Sequence, residues 1–195
     1  MELIADSLLN QKTINQIGQQ VGLGQEQTAG ILGQVIPALL GGLNKNSNQS
    51  SGLESLFGAL VKDHNGSNLN RVDDIIDNPE KAEGPSILDH IFGGRQTNIE
   101  NQIGRTSGID LAQIAKIFSI AAPIVMAALG KQRKQADWNM SGLSDALTQT
   151  TENIRQENQQ GMSWIEKMID SDNDGSTMDD IAGIGMSMVK NWMRG

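Results

Sequence analysis

The feature that most limits the fold is a recurrence. Asn15-Gln16-Ile17-Gly18 returns as Asn101-Gln102-Ile103-Gly104. With the same offset and no gap, Gly22 matches Gly108, Gln27 matches Gln113 and Ala29 matches Ala115. Further on, Ile31 matches Ile117, Pro37 matches Pro123, Leu43 matches Leu129 and Lys45 matches Lys131. In the first copy Thr13-x-x-Gln16 has capping-box spacing and opens a helix through Val21, and Gly22-Leu23-Gly24 then turns the chain. A longer helix starts near Gln25, with Ile31, Leu32, Val35, Ile36, Leu39 and Leu40 at helical spacing. Thr97-x-x-Glu100 supplies the equivalent cap in the second copy. A helix that is apolar nearly all round must be buried, and one copy has too little surface to bury it. The pattern predicts a duplicated helical hairpin, over about 13–45 and 97–131, whose two long helices pack together and kink at proline. The shared Gly and Pro read as a tight turn and a fixed bend rather than as a hinge.

The other segments also read as helices. Leu3, Ile4, Leu8 and Leu9 form a short stripe. Residues 44–51 read as a polar linker. Ser51-x-x-Glu54 then caps a helix with Leu53, Leu56, Phe57, Leu60 and Val61 on one face. Residues 64–70 read as a loop holding His64. Val72, Ile75 and Ile76 suggest a turn or two of helix ended by Asn78-Pro79, and Ser86 caps the run through Phe92. Past a boundary near 130–140, Leu143, Leu147, Thr150 and Ile154 make a thin stripe. The expected fold class is all-α. A helical body is expected over 1–135, and carboxyl-terminal helices with an acidic loop over 136–195.

That loop carries the readable chemistry. Asp170, Asp172 and Asp174 alternate, and Gly175 follows. EF-hand loops begin this way: positions one, three and five supply oxygens, glycine allows the turn, and the next residue, here Ser176, offers its backbone carbonyl. Three carboxylates so close repel one another unless a cation lies between them. A hard cation wanting about six to eight oxygens suits them, so calcium is the expected ligand; magnesium, which keeps its waters, suits them less. The twelfth position should be Glu but is Ile181. Asp179 or Asp180 would complete a shortened loop. Trp164, Ile165, Met168 and Ile169 before it, and Ile181, Ile184, Met188 and Trp192 after it, supply two amphipathic helices. The plainer alternative is a solvated acidic turn, since the same residue types favour turns.

Composition narrows the function classes. The chain has 195 residues, a formal charge of −8, no cysteine and two histidines. An acidic chain lacks the basic surface that a general nucleic-acid or anionic-membrane partner requires. Without cysteine neither disulfides nor a thiolate zinc site can form. The start, Met1-Glu2-Leu3-Ile4-Ala5-Asp6, has no basic n-region, and the apolar run 117–129 is broken by Ser119 and Pro123. A soluble cytoplasmic protein without a membrane span is expected, with export by a route lacking a cleaved signal still compatible. Nothing matches a nucleophile elbow, phosphate loop or dinucleotide fingerprint, and a non-enzyme is expected. Asp73, Asp74 and Asp77 read as a solvated helix face rather than a second cation patch.

Ile87-Leu88-Asp89-His90-Ile91-Phe92-Gly93-Gly94 lies between the two apolar helices, and Asp-x-Asp-x-Asp-Gly-Ser with Asp-Asp follows near the carboxyl end. Together these features resemble the bacterial YidB-like proteins of domain-of-unknown-function family 937, nearly end to end. The resemblance implies an all-α fold of bacterial origin and no activity. The expected function is that of a calcium-binding helical protein acting through protein partners or as a homo-oligomer. The alternative is DNA binding through the helix-turn-helix spacing at 13–32, against which stands a second helix opening with Gln25-Glu26-Gln27 and lacking Arg or Lys.

Overall fold

The computed structural model describes residues 2–157 together with Ser163. Among the described residues the fold is all-helical, with no strand. In chain order the helices are α1 (Glu2–Leu8), α2 (Gln11–Val21), α3 (Gln25–Ser47), α4 (Ser50–Lys62), α5 (Val72–Asp77), α6 (Gly84–Phe92), α7 (Gln96–Ser107), α8 (Leu111–Gln135) and α9 (Met140–Glu157). Short 3-10 turns at Ser67–Arg71, Pro79–Ala82 and Gly93–Arg95 join some of them.

The two long helices form the centre. In α3, Leu32, Val35, Ile36, Leu39 and Leu40 have no exposed surface; in α8 the same is true of Ile114, Ile117, Phe118, Ile120 and Ile124. α3 and α8 pack on each other, and α1, α2, α4, α5, α6 and α7 all lie against α8. Phe118 meets Phe92 of α6 edge to face, with centroids 5.7 Å apart. Pro37 and Pro123 both lie inside continuous helices and are buried. Gly22 and Gly108 end α2 and α7 in the left-handed conformation, with φ of 74° and 70°. Only glycine adopts that conformation without a Cβ penalty.

Several local expectations change. The cap of α2 is Asn10 rather than Thr13: its Oδ1 accepts from the Thr13 backbone N–H at 2.9 Å. α4 begins at Ser50, one residue before the expected Ser51 cap, with no side-chain cap bond. α7 follows directly on a 3-10 turn, and Gln96 donates to Glu100 Oε1 at 2.7 Å instead of a Thr97 cap forming. α6 starts at Gly84 with Pro85 in its first turn, so Ser86 lies inside the helix.

The expected linker at 44–51 is largely helical, because its polar side chains bond to neighbouring helices rather than to water. Asn44 Nδ2 donates to Thr151 Oγ1 at 3.1 Å, and Thr148 Oγ1 donates to Asn44 Oδ1 at 3.2 Å. Asn46 Nδ2 donates to the carbonyls of His90 and Ile91. These bonds hold α9 and α6 to the end of α3. α9 buries Leu143, Leu147, Thr151 and Ile154 against α3 and α4.

α8, at 25 residues, is long and apolar enough to cross a bilayer by length and composition. The apolar run 117–129 lies inside this longer helix. In this fold 67% of its most apolar stretch is buried by protein, as in a core helix.

Glu100, aligned with buried Ile14 in the sequence recurrence, is only 5% exposed. Burial raises its pKa above 4.5, and the Gln96 hydrogen bond offsets part of that rise. A raised carboxyl pKa contributes stability below the unfolded value that is lost as pH rises through the folded one. Glu100→Gln keeps the acceptor for Gln96 and removes the charge. Its melting temperature should exceed that of the parent at pH 7 and converge with it near pH 4, measured by thermal unfolding across pH.

Candidate functional site

Asp170, Asp172, Asp174, Ser176, Asp179 and Asp180 lie outside the described residues. Among the described residues no group of three or more His, Asp or Glu side chains is arranged to hold a metal ion. Asp73 pairs with Lys12 at 2.8 Å, Asp74 with Arg71 at 2.9 Å, and Asp77 accepts from Gln20 at 3.1 Å. These three carboxylates therefore serve separate partners on the surface. The lysine holds the Asp73 carboxyl below its ordinary pKa, helped by Gln16.

The helix-turn-helix segment places Gln25, Glu26 and Gln27 at the surface, while Thr28, Ala29, Ile31 and Leu32 are buried. The outward residues of this segment's second half, 25–32, therefore include no cation for a phosphate.

A cleft of about 450 Å³ opens between the end of α3, α4, α6 and α8. Leu43, Leu56, Ile87, Ile91 and Met126 form its apolar wall. Asp63, His64, Glu83, Ser86 and His90 supply polar groups. Both histidines of the chain thus line one cavity. Lysine and arginine are absent from its lining.

The walls of this cleft are set by backbone contacts on α8. At position 123 proline has no N–H, so it cannot donate to the carbonyl four residues earlier, that of Ser119. Gly84, the first residue of α6, lies directly on that Ser119 carbonyl, where any Cβ would collide with it. On the other side, the carbonyl of His64 lies against Gly130 in the same way. Two glycines therefore let α6 and the segment after α4 approach the same helix.

His64 lies in the loop after α4, yet it is only 6% exposed. The seat on Gly130 explains why: the backbone after α4 cannot lift away without losing that contact. Nδ1 of His64 is buried and has no hydrogen-bond partner. Burial lowers the pKa of His64 below 6.5, and Glu83 and then Asp63 oppose that shift. His90 is exposed, and its Nδ1 lies 2.8 Å from the Ser86 carbonyl.

Glu83 has φ 61° and ψ 20°, a left-handed backbone in a residue with a Cβ. Such a conformation costs about 1–2 kcal/mol outside glycine. Asp63 and Glu83 are exposed and make no ion pair among the described residues. Sequence spacing had not joined these residues, since Asp63 and Glu83 lie in different segments. The available signal was Asp63-His64 directly after an amphipathic helix and a non-glycine residue before Gly84-Pro85.

With this geometry in place, comparison with known proteins identifies the class. Residues 4–132 match the family described as "Bacterial protein of unknown function (DUF937)". The chain belongs to that family, and the match runs from within α1 through most of α8. No curated protein and no solved structure matches it.

Two outcomes follow from this geometry. Gly130→Ala should destabilise the fold by about 2–3 kcal/mol, because the new methyl meets backbone rather than a side chain that can turn away; denaturant unfolding reads this directly. A histidine pKa lowered in the fold means the unfolded chain binds the proton more readily. Stability should therefore fall as pH drops below about 6.5 towards the folded value. His64→Gln should flatten that part of the stability–pH curve.

Proposed function

We propose that this protein is a non-enzymatic calcium-binding helical protein of the YidB-like kind that acts through contacts with protein partners or with its own copies. The ion would be held by Asp170, Asp172 and Asp174, the backbone carbonyl of Ser176, and Asp179 or Asp180. The reading is carried by one observation: three alternating aspartates followed by a glycine at the turn position. Turn composition alone does not require that order, whereas an EF-hand loop does. In this reading the incoming and outgoing stripes around the loop form an EF-hand-like pair of helices. The two hairpins of the body, copies of one unit bent at Pro37 and Pro123, give them a surface to lean on. The lone loop lacks the partner hand that usually accompanies it, which favours a contact with the helical body or with another chain.

Calorimetric titration of the full chain with calcium and with magnesium, read beside light scattering, tests this. Calcium should bind with release or uptake of heat, raise the melting temperature or change the assembly state, and outcompete magnesium. Asp172→Ala with Asp174→Ala should abolish each effect. Absence of calcium binding in the parent chain would overturn the reading.

A further inference from the structure

We propose that the cleft between α4 and α6 is a binding site for small amphiphilic cations, molecules with a protonated amine at one end and a compact apolar body. This inference does not depend on calcium binding. Its volume, about 450 Å³, falls in the range of small-molecule sites. The wall formed by Leu43, Leu56, Ile87, Ile91 and Met126 offers contact to an apolar body and nothing to a fully polar one.

Charge selects the other end. Asp63 and Glu83 both lie close enough to His64 to act on it electrostatically, so two carboxylates border the same end of the cleft. Neither is neutralised by an ion pair among the described residues, and the lining contains no lysine or arginine. An anionic ligand would meet those carboxylates without a counter-charge, whereas an ammonium would supply the missing one.

His64 lines the cavity and is only 6% exposed, and its Nδ1 has no partner. That nitrogen is itself closed off from the cleft, so the site is defined by the apolar wall and the two carboxylates rather than by this atom. Burial lowers the pKa of the imidazole and so favours its uncharged form. The left-handed backbone of Glu83 fits the same picture: a strained residue that glycine would suit better is kept as a carboxylate at the rim.

The experiment uses the full chain and n-hexylammonium, with hexanoate and 1-hexanol as matched probes of opposite and zero charge. Binding is followed by methyl NMR, reading Ile87, Ile91 and Met126. Hexylammonium should shift these signals in a saturable way, and hexanoate should leave them unmoved. Hexanol should bind at least about tenfold more weakly, the loss of one charge-assisted contact. Asp63→Asn with Glu83→Gln should weaken hexylammonium by a similar factor while the melting temperature holds, since both side chains are exposed. Glu83→Gly should raise the melting temperature by releasing the strained backbone and still weaken binding. Equal binding of hexanol, tighter binding of hexanoate, no binding of any probe, or an unchanged affinity in the double variant would each overturn the proposal.

Discussion

The structure depends on the contact between two helices that cannot be left in water. α3 and α8 bury Ile, Leu and Val around nearly their whole circumference. Full burial of each such side chain is worth about 1.5–3 kcal/mol relative to exposure. Neither helix can realise that gain alone, because a helix apolar on every side needs neighbours on every side. Their mutual contact covers one face of each, and the shorter helices cover the rest. The coverings have narrower apolar stripes, as in α4, where Leu56 and Leu60 are buried while Val61 stays exposed.

Close approach of the coverings to α8 is what turns this core into a site. A helix can lie nearer to its neighbour where a Cβ is missing, and Gly84 and Gly130 are such points. The first lets α6 rest on the Ser119 carbonyl beneath Pro123; the second lets the chain after α4 rest its own His64 carbonyl on α8. Between these two anchors the helices diverge and leave a cleft. Its floor is core material, and its rim is made of residues that had to turn. The strain at Glu83 and the unpaired Nδ1 of His64 arise at those turns. Proline and glycine thus do more here than punctuate helices.

Polar residues in this protein have two different duties, which composition alone does not separate. Asn44 and Asn46 look like linker residues but tie α3 to α9 and α6. Asn10 looks like loop but caps α2. Asp73, Asp74 and Asp77 look like a cluster but serve Lys12, Arg71 and Gln20. For Asn44, Asn46, Asp73 and Asp77 the partner comes from another segment, whereas Asp74 and Asn10 bond to groups three residues away. A local pattern records the residue's capacity to bond, not the identity of its partner.

Helix periodicity, the glycine turns and the placement of Pro37 and Pro123 are short-range properties, so the helical character of the chain and its two long apolar helices were legible from residue order. The turn at Gly22-Leu23-Gly24 was legible for the same reason: a left-handed residue after a helix is a local steric requirement. The alternation of Asp170, Asp172 and Asp174 is local too, and it is from this that the calcium reading comes. The cleft was not legible. Asp63 and Glu83 are separated by a loop, two 3-10 turns and a short helix, and their nearness exists only because α4 and α6 both lean on α8. Burial of His64 likewise follows from a contact with Gly130, which lies far along the chain. Such pairings are set by how the helices pack, and packing is decided by the whole molecule at once.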